Sequence, residues 1–219
     1  MIRLFDIFLS IIAILSLSPL LIICTFILKL TGEGEVFYFQ ERVGKNQKTF
    51  KLIKFATMLK NSEKMGSGTL TIRNDPRVLP FGKFLRISKI NELPQLINIL
   101  IGDMSVIGPR PLLKKQFLMY SEKDIKIISS ISPGLSGVGS IVFRDEEELL
   151  SKAQNPHKYY EEVIAPYKAY LEKWYVKNIG INLYFKIIIV TLIAITYKFK
   201  YPEKLISSEL RGIHDYKRT

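Results

Sequence analysis

Residues 86–111 read RISKINELPQLINILIGDMSVIGPRP, and the reading of the whole chain turns on this stretch. Asn91-Glu92 sets an amide and an acid at the start of a short apolar run, where a helix begins and asparagine serves as the N-cap. Pro94 is tolerated in the first turn because amides there have no helical acceptor. Gly102 ends the helix, and Gly108-Pro109-Arg110-Pro111 follows as a rigid cationic corner. Unpaired amides and the positive end of the dipole make such a helix start an anion site. Glu92 then has two readings: it stabilises the dipole, or it is a hard oxygen ligand for Mg²⁺ bridging a diphosphate. Arg77, Arg86 and Arg110 bracket the helix start, and their planar donor forks match phosphate oxygens in a way lysine cannot.

The remaining composition agrees with an anionic partner. The 219 residues carry a formal net charge of +12, with a pI near 9.6. Phosphorylated small molecules, lipid head groups or nucleic acid would each suit that balance. No nucleic-acid motif is present, so lipid and phosphate account for the charge better. Cys24 is the single cysteine, which excludes an internal disulfide. The two histidines, His157 and His214, lie far apart, and no zinc-like spacing exists, which argues against serine or cysteine hydrolase chemistry.

Outward from the centre, residues 7–28 contain no charge and would reach roughly 33 Å as a helix, enough to cross a bilayer. No small-residue cleavage site follows, so this is not a signal peptide. Pro19, after Ser18, predicts a sharp kink. Two forms fit: a spanning anchor, or a re-entrant helix broken at Ser18-Pro19 that leaves Arg3, Asp6 and Lys29 near the cytoplasmic head groups. Short strands are expected at residues 36–39 and 49–55 around a turn at residues 43–46. Residues 61–71 form a mobile loop, and residues 114–130 are helical, with Ser121 and Asp124 as a capping pair inside the run or at a second start. Residues 131–141 form a glycine-bearing loop, and residues 145–153 a short helix with an acidic first turn. Residues 156–178 are a helical stripe that Pro166 must kink or split, and residues 183–197 an interface-lying helix.

The expected class is α+β and helix-rich. Residues 1–30 form the membrane-anchoring helix, 31–200 a cytoplasmic domain with a small sheet and interface-lying helices, and 201–219 a polar, frayed tail.

Five ordered motifs carry a resemblance: Gln40-Glu41-Arg42-Val43-Gly44, Asn74-Asp75-Pro76-Arg77, Glu92-Leu93-Pro94-Gln95, Gly102-Asp103-Met104-Ser105 and Gly108-Pro109-Arg110-Pro111. Together with Arg3-Leu4-Phe5-Asp6 they resemble the monotopic bacterial phosphoglycosyl transferases, which begin capsule, O-antigen and glycoprotein glycan assembly. The resemblance implies the re-entrant helix at Ser18-Pro19 and an inner-membrane location at the cytoplasmic face. It implies a nucleotide diphosphate sugar as donor, polyprenol phosphate as acceptor and Mg²⁺ as cofactor, with inner-membrane lipids and a homodimer among the partners considered. In that family an Asp-Glu dyad acts, the aspartate holding the phosphosugar covalently. Glu92 matches the glutamate and metal ligand, and Arg86 and Arg110 match arginines assigned to substrate phosphates. Arg144 corresponds to a nucleotide-side arginine, although IVFRDEEELL departs from the usual Val-Asn-Gly-Arg pattern. Asn91 stands at the catalytic position where the family's nucleophilic aspartate belongs; Ile2 and Ala56 also depart from the pattern. An amide caps a helix as well as a carboxylate does, but it is a very poor nucleophile. Four readings follow: phosphosugar transfer by direct attack or through another carboxylate (Asp103, or the group Asp145 to Glu148), sugar transfer without the phosphate, a non-catalytic binding protein, or an introduced, substrate-trapping Asn91.

Overall fold

The structure is a computed structural model that describes residues 1–65, 75–197, 199 and 202–210. Asn74, much of the expected 61–71 loop and the chain beyond residue 210 lie outside the described residues.

Helix α1 (Ile2–Leu30) is continuous through Pro19. Proline deletes the amide that would bond the Leu15 carbonyl, and the Ser18 hydroxyl donates to that same carbonyl at 2.8 Å. The expected break at Ser18-Pro19 is thus one missing backbone bond replaced by a side chain, not an interruption of the helix. One stripe of α1, including Phe5, Leu9, Ala13, Leu21 and Cys24, packs on the rest of the protein along the helix's length. Leu4, Phe8, Leu15, Ile22 and Phe26 form the opposite, exposed stripe. Asp6 turns into the protein. It is buried and accepts from the Ser105 hydroxyl (2.9 Å), the Val106 amide (2.8 Å) and the Tyr184 hydroxyl (2.8 Å).

The strands β1 (Phe37–Val43) and β2 (Thr49–Phe55) pair antiparallel around a short 3₁₀ turn. Helix α2 (Pro80–Ile87) has proline in its first turn, where the missing amide costs nothing. Helix α3 (Gln95–Ile101) stops at Gly102, whose φ of +102° is a conformation glycine adopts without strain. Arg3 donates to the Ile99 and Leu100 carbonyls at the end of α3. Strands β3 (Ser105–Ile107) and β4 (Gly134–Ser136) pair in parallel, so the structure holds two small two-stranded sheets among its described residues.

Between them the 114–130 run divides into α4 (Lys114–Phe117) and α5 (Glu122–Ile128), with the Ser121 hydroxyl capping α5 through the Asp124 amide at 3.2 Å. The chain continues through α6 (Val138–Val142), α7 (Glu146–Ser151) and α8 (Pro156–Tyr159). A π turn at Tyr160–Ile164 leads into α9 (Ala165–Lys177), and then come α10 (Ile181–Thr196) and α11 (Pro202–Ile206). The main core gathers Ile107, Val138, Tyr167, Leu171, Tyr175 and Tyr184. Burying each such side chain contributes about 1.5–3 kcal/mol. Helix α10 turns Tyr184, Ile187 and Val190 into this core and leaves Ile189, Leu192 and Ile193 exposed. The tail was expected to fray, but Ile206 and Leu210 are buried in the same core, because apolar burial there outweighs the polar composition around them.

Candidate active site

Asn91 and Glu92 lie in a 3₁₀ turn, Ile90–Glu92, and not at the start of α3. The Glu92 amide bonds the Lys89 carbonyl and the Leu93 amide bonds the Ile90 carbonyl, each at 3.1 Å. The backbone donors expected for an anion are therefore used by the turn itself. Asn91 is buried and makes no capping hydrogen bond, and its Oδ1 has no partner among the described residues.

Charge comes instead from side chains brought in over long range. Glu92 Oε1 meets Lys54 Nζ at 3.2 Å and an Arg110 guanidinium nitrogen at 3.4 Å. Burial alone would raise the Glu92 carboxyl, but Lys54, Arg110 and Lys89 outweigh it and hold the group far below the usual carboxylate range. Lys54, from β2, is pushed down to about 8 by burial and by Arg42 and Arg110, against the pull of Glu92. Arg42, from β1, is lowered to about 10, mainly by burial and then by Arg110. Four cations thus surround one carboxylate, an imbalance that a diphosphate would offset.

The corner carrying Arg110 is held from three sides. The Gly108 amide bonds the Ser136 carbonyl (2.9 Å) and the Gly134 amide bonds the Pro109 carbonyl (2.8 Å). A Cβ on Gly134 would lie 2.0 Å from the Gly108 nitrogen, so only glycine permits this approach. Arg42 donates to the Pro111 carbonyl at 3.2 Å. From α9, Glu172 accepts the Arg110 amide at 3.2 Å. Burial pushes the Glu172 carboxyl up to about 7, although the Arg110 amide and Lys168 oppose it.

A cleft joins most of the residues singled out by sequence: Asn91, Glu92, Arg86, Arg110 and Arg144 all line it. Arg86 pairs with Glu147, and Glu146 pairs with Lys168 at 2.6 Å, so the acidic segment 145–148 faces the same space. Two expectations are not met. Arg77 is buried, bonds Asp75 through its Nε (2.8 Å), and donates to the carbonyls of Ser62 (2.7 Å) and Met65 (2.9 Å), so it holds a loop together and does not line the cleft. Asp103 accepts from Asn98 at 3.3 Å and also stays outside the cleft. Lys54, Lys89, Lys168, Glu172 and Tyr160 were not assigned by sequence reasoning. Lys168 and Glu172 carried a faint signal, as charges four residues apart within a helix rich in buried apolar groups.

The cleft does not end at these charges. It is also lined by Leu9, Ile12 and Ala13 of α1 and by Ile188 and Leu192 of α10. An apolar flank thus adjoins a cationic floor.

Comparison with known proteins identifies the family. The profile of the family described as bacterial sugar transferase matches residues 1–198. The exopolysaccharide production protein ExoY of Sinorhizobium fredii is 34% identical over 158 residues, covering 66% of this chain and 70% of that protein. The undecaprenyl-phosphate galactose phosphotransferase of Salmonella typhimurium is 31% identical over 191 residues, 80% of this chain and 36% of that protein. The UDP-N-acetylgalactosamine-undecaprenyl-phosphate N-acetylgalactosaminephosphotransferase of Aeromonas hydrophila is 39% identical over 140 residues, 63% of this chain and 33% of that protein. This chain therefore matches about a third of the length of the last two.

Proposed function

The chain belongs to the bacterial sugar transferase family, and we propose that it moves a sugar phosphate from a nucleotide diphosphate sugar to polyprenol phosphate, starting assembly of a bacterial surface glycan. The observation that carries this reading is the cluster of Lys54, Lys89, Arg42 and Arg110 around Glu92, in a cleft with an apolar flank on α1 and α10. The cations suit the donor's diphosphate, and the flank suits an isoprenoid chain.

Asn91 directs the mechanism. It is neutral, and among the described residues no nearby carboxylate stands ready to replace the missing aspartate. Glu146, Glu147 and Glu148 are paired to Lys168, Arg86 and Lys152, Asp145 has a partner of its own, Glu92 is held by Lys54 and Arg110, and Asp103 lies outside the cleft. Transfer is therefore a single displacement. A terminal oxygen of polyprenol phosphate attacks the donor's β-phosphorus, and the bond to the nucleoside monophosphate breaks with its electron pair leaving on the monophosphate. Arg110, Lys54 and Arg86 offset the charge that gathers as two anions meet. Glu92 and the unpartnered Asn91 Oδ1 would hold Mg²⁺ together with diphosphate oxygens, a set of ligands that magnesium accepts. Bound there, the ion supplies further neutralisation of phosphate charge.

The same reading sets the protein at the cytoplasmic face of the inner membrane, with α1 entering the leaflet without crossing it. Both ends of α1 rest on one domain: Asp6 bonds Ser105, Val106 and Tyr184, and Leu28 packs with Phe55 and Leu85. A helix crossing the bilayer would carry one end away from that domain. The outward stripes of α1 and α10 are apolar, and the net positive charge suits anionic head groups.

The test is to incubate purified protein with labelled nucleotide sugar and Mg²⁺, with and without polyprenol phosphate, and identify the released nucleotide. Monophosphate released only in the presence of acceptor is the expected result. The Asn91→Asp variant should gain release without acceptor, because it restores a carboxylate nucleophile. Release of a nucleoside diphosphate would refute phosphosugar transfer, and release of nothing would refute an enzyme.

A further inference from the structure

Tyr160 begins the π turn Tyr160–Ile164, in which the Ala165 amide reaches back to the Tyr160 carbonyl. The cause lies in Pro166: it has no amide, and in a regular helix its ring would press on the Glu162 carbonyl. Widening the turn relieves that clash, and such turns gather at functional positions. Here the widened turn sets the Tyr160 ring against Lys168, whose Nζ lies 5.2 Å from the ring centroid and 5.1 Å from that of Phe143.

Tyr160 is 2% exposed and lines the cleft, yet its hydroxyl has no hydrogen-bond partner among the described residues. That is unusual, because buried tyrosine hydroxyls usually find one, and leaving such a bond unmade destabilises the fold. Two other buried tyrosines of this core do find one: Tyr175 donates to the Ile107 carbonyl at 3.3 Å and Tyr184 to Asp6 at 2.8 Å. Arg110, Arg42 and Glu146 line the same cleft; the two arginines favour a phenolate and Glu146 opposes it. Burial is the largest influence and keeps the phenol protonated, so it can donate but carries no charge.

We propose that the Tyr160 hydroxyl donates a hydrogen bond to a phosphate oxygen of substrate held between Arg110 and Arg42, making Tyr160 a phosphate-binding residue of this site. The assignment rests on the phosphosugar-transfer reading above, and it names a contact that none of the sequence motifs marked. The phosphate belongs to the donor's diphosphate or to the acceptor, and the chemistry at the hydroxyl is the same for both.

The full chain in detergent or nanodiscs, with Mg²⁺ present, provides the test. Melting temperature and affinity are measured for the wild type, Tyr160→Phe and Tyr175→Phe. The probes are inorganic pyrophosphate, UDP-N-acetylgalactosamine and undecaprenyl phosphate. Without ligand, Tyr160→Phe should melt at or above the wild-type temperature, since it deletes an unpaired buried hydroxyl. Its affinity for at least one probe should fall about tenfold, as expected for a bond to a charged acceptor. A fall confined to pyrophosphate and the nucleotide sugar assigns the bond to the donor, and a fall confined to undecaprenyl phosphate assigns it to the acceptor. Tyr175→Phe should do the reverse, losing stability while keeping affinity. Equal affinities of Tyr160→Phe and wild type for all three probes would overturn the assignment alone. So would a marked drop in its unliganded melting temperature, which would reveal a structural partner. If the wild type binds none of the probes, the transferase reading falls and this assignment with it.

Discussion

Replacing Asp6 tests how α1 is held to the domain, and its geometry allows a quantitative expectation. The Ser105 hydroxyl, the Val106 amide and the Tyr184 hydroxyl all converge on one atom, Asp6 Oδ1, at 2.8–2.9 Å in a buried site. Asp6→Ala removes that acceptor and orphans three donors at once. Each orphan costs about 1–3 kcal/mol, and after partial relaxation the sum should be about 3–5 kcal/mol. For a domain of this size that lowers the melting temperature by about 10 °C. Asp6→Asn keeps an oxygen at the same place, able to accept all three bonds, and loses only the charge assistance. It should cost about 1–2 kcal/mol. Thermal unfolding in detergent measures both. Alkylation of Cys24, the one cysteine, reports whether α1 lifts, since its thiol is buried beneath the helix against Phe55 and Leu85. Its rate should rise markedly in Asp6→Ala and little in Asp6→Asn. Equal losses in the two variants would refute the single-acceptor reasoning, and an unchanged Asp6→Ala would refute the clasp itself.

Three further outcomes are expected. Because burial lifts the Glu172 carboxyl from 4.5 to about 7, the native state holds this proton longer than the unfolded chain does; its contribution to stability is present below about pH 4.5 and is lost as pH rises towards 7. Glu172→Gln should flatten that decline and be the more stable form at neutral pH, as denaturant unfolding across pH would show. Lys54 loses its proton near pH 8, so donor affinity should weaken above that value, and titration calorimetry on Lys54→Arg should find the decline displaced to higher pH. Gly134→Ala would drive a Cβ to 2.0 Å from the Gly108 nitrogen, spreading β3 from β4 and moving the Arg110 corner. A fall in transfer rate of at least tenfold is expected, with the overall fold retained by circular dichroism.

Much of this protein was legible in its sequence because the signals were local. The uncharged run of α1, the strands on either side of a turn near residue 45, the Ser121 cap and the stop at Gly102 each depend on neighbours a few residues away. The rigid Gly108 to Pro111 corner and the presence of Glu92, Arg86 and Arg110 in one cleft were legible for the same reason, reinforced by motif order. Where two local rules competed, the sequence could not choose. Asn91 and Pro94 each suit a helix start, and the chain resolved them as a 3₁₀ turn followed by α3 from Gln95, which used the amides expected for an anion. Other roles required contacts across the chain. Arg77 was drawn inward by Asp75 and two loop carbonyls, while Lys54, Arg42, Glu172 and Tyr160 came together from β1, β2, α9 and the π turn before it. Residue type and spacing along the chain announce which charges are available. Which of them pair, which are buried and which face the cleft depends on distances that exist only after packing, because attraction and desolvation both act through space and not along the backbone.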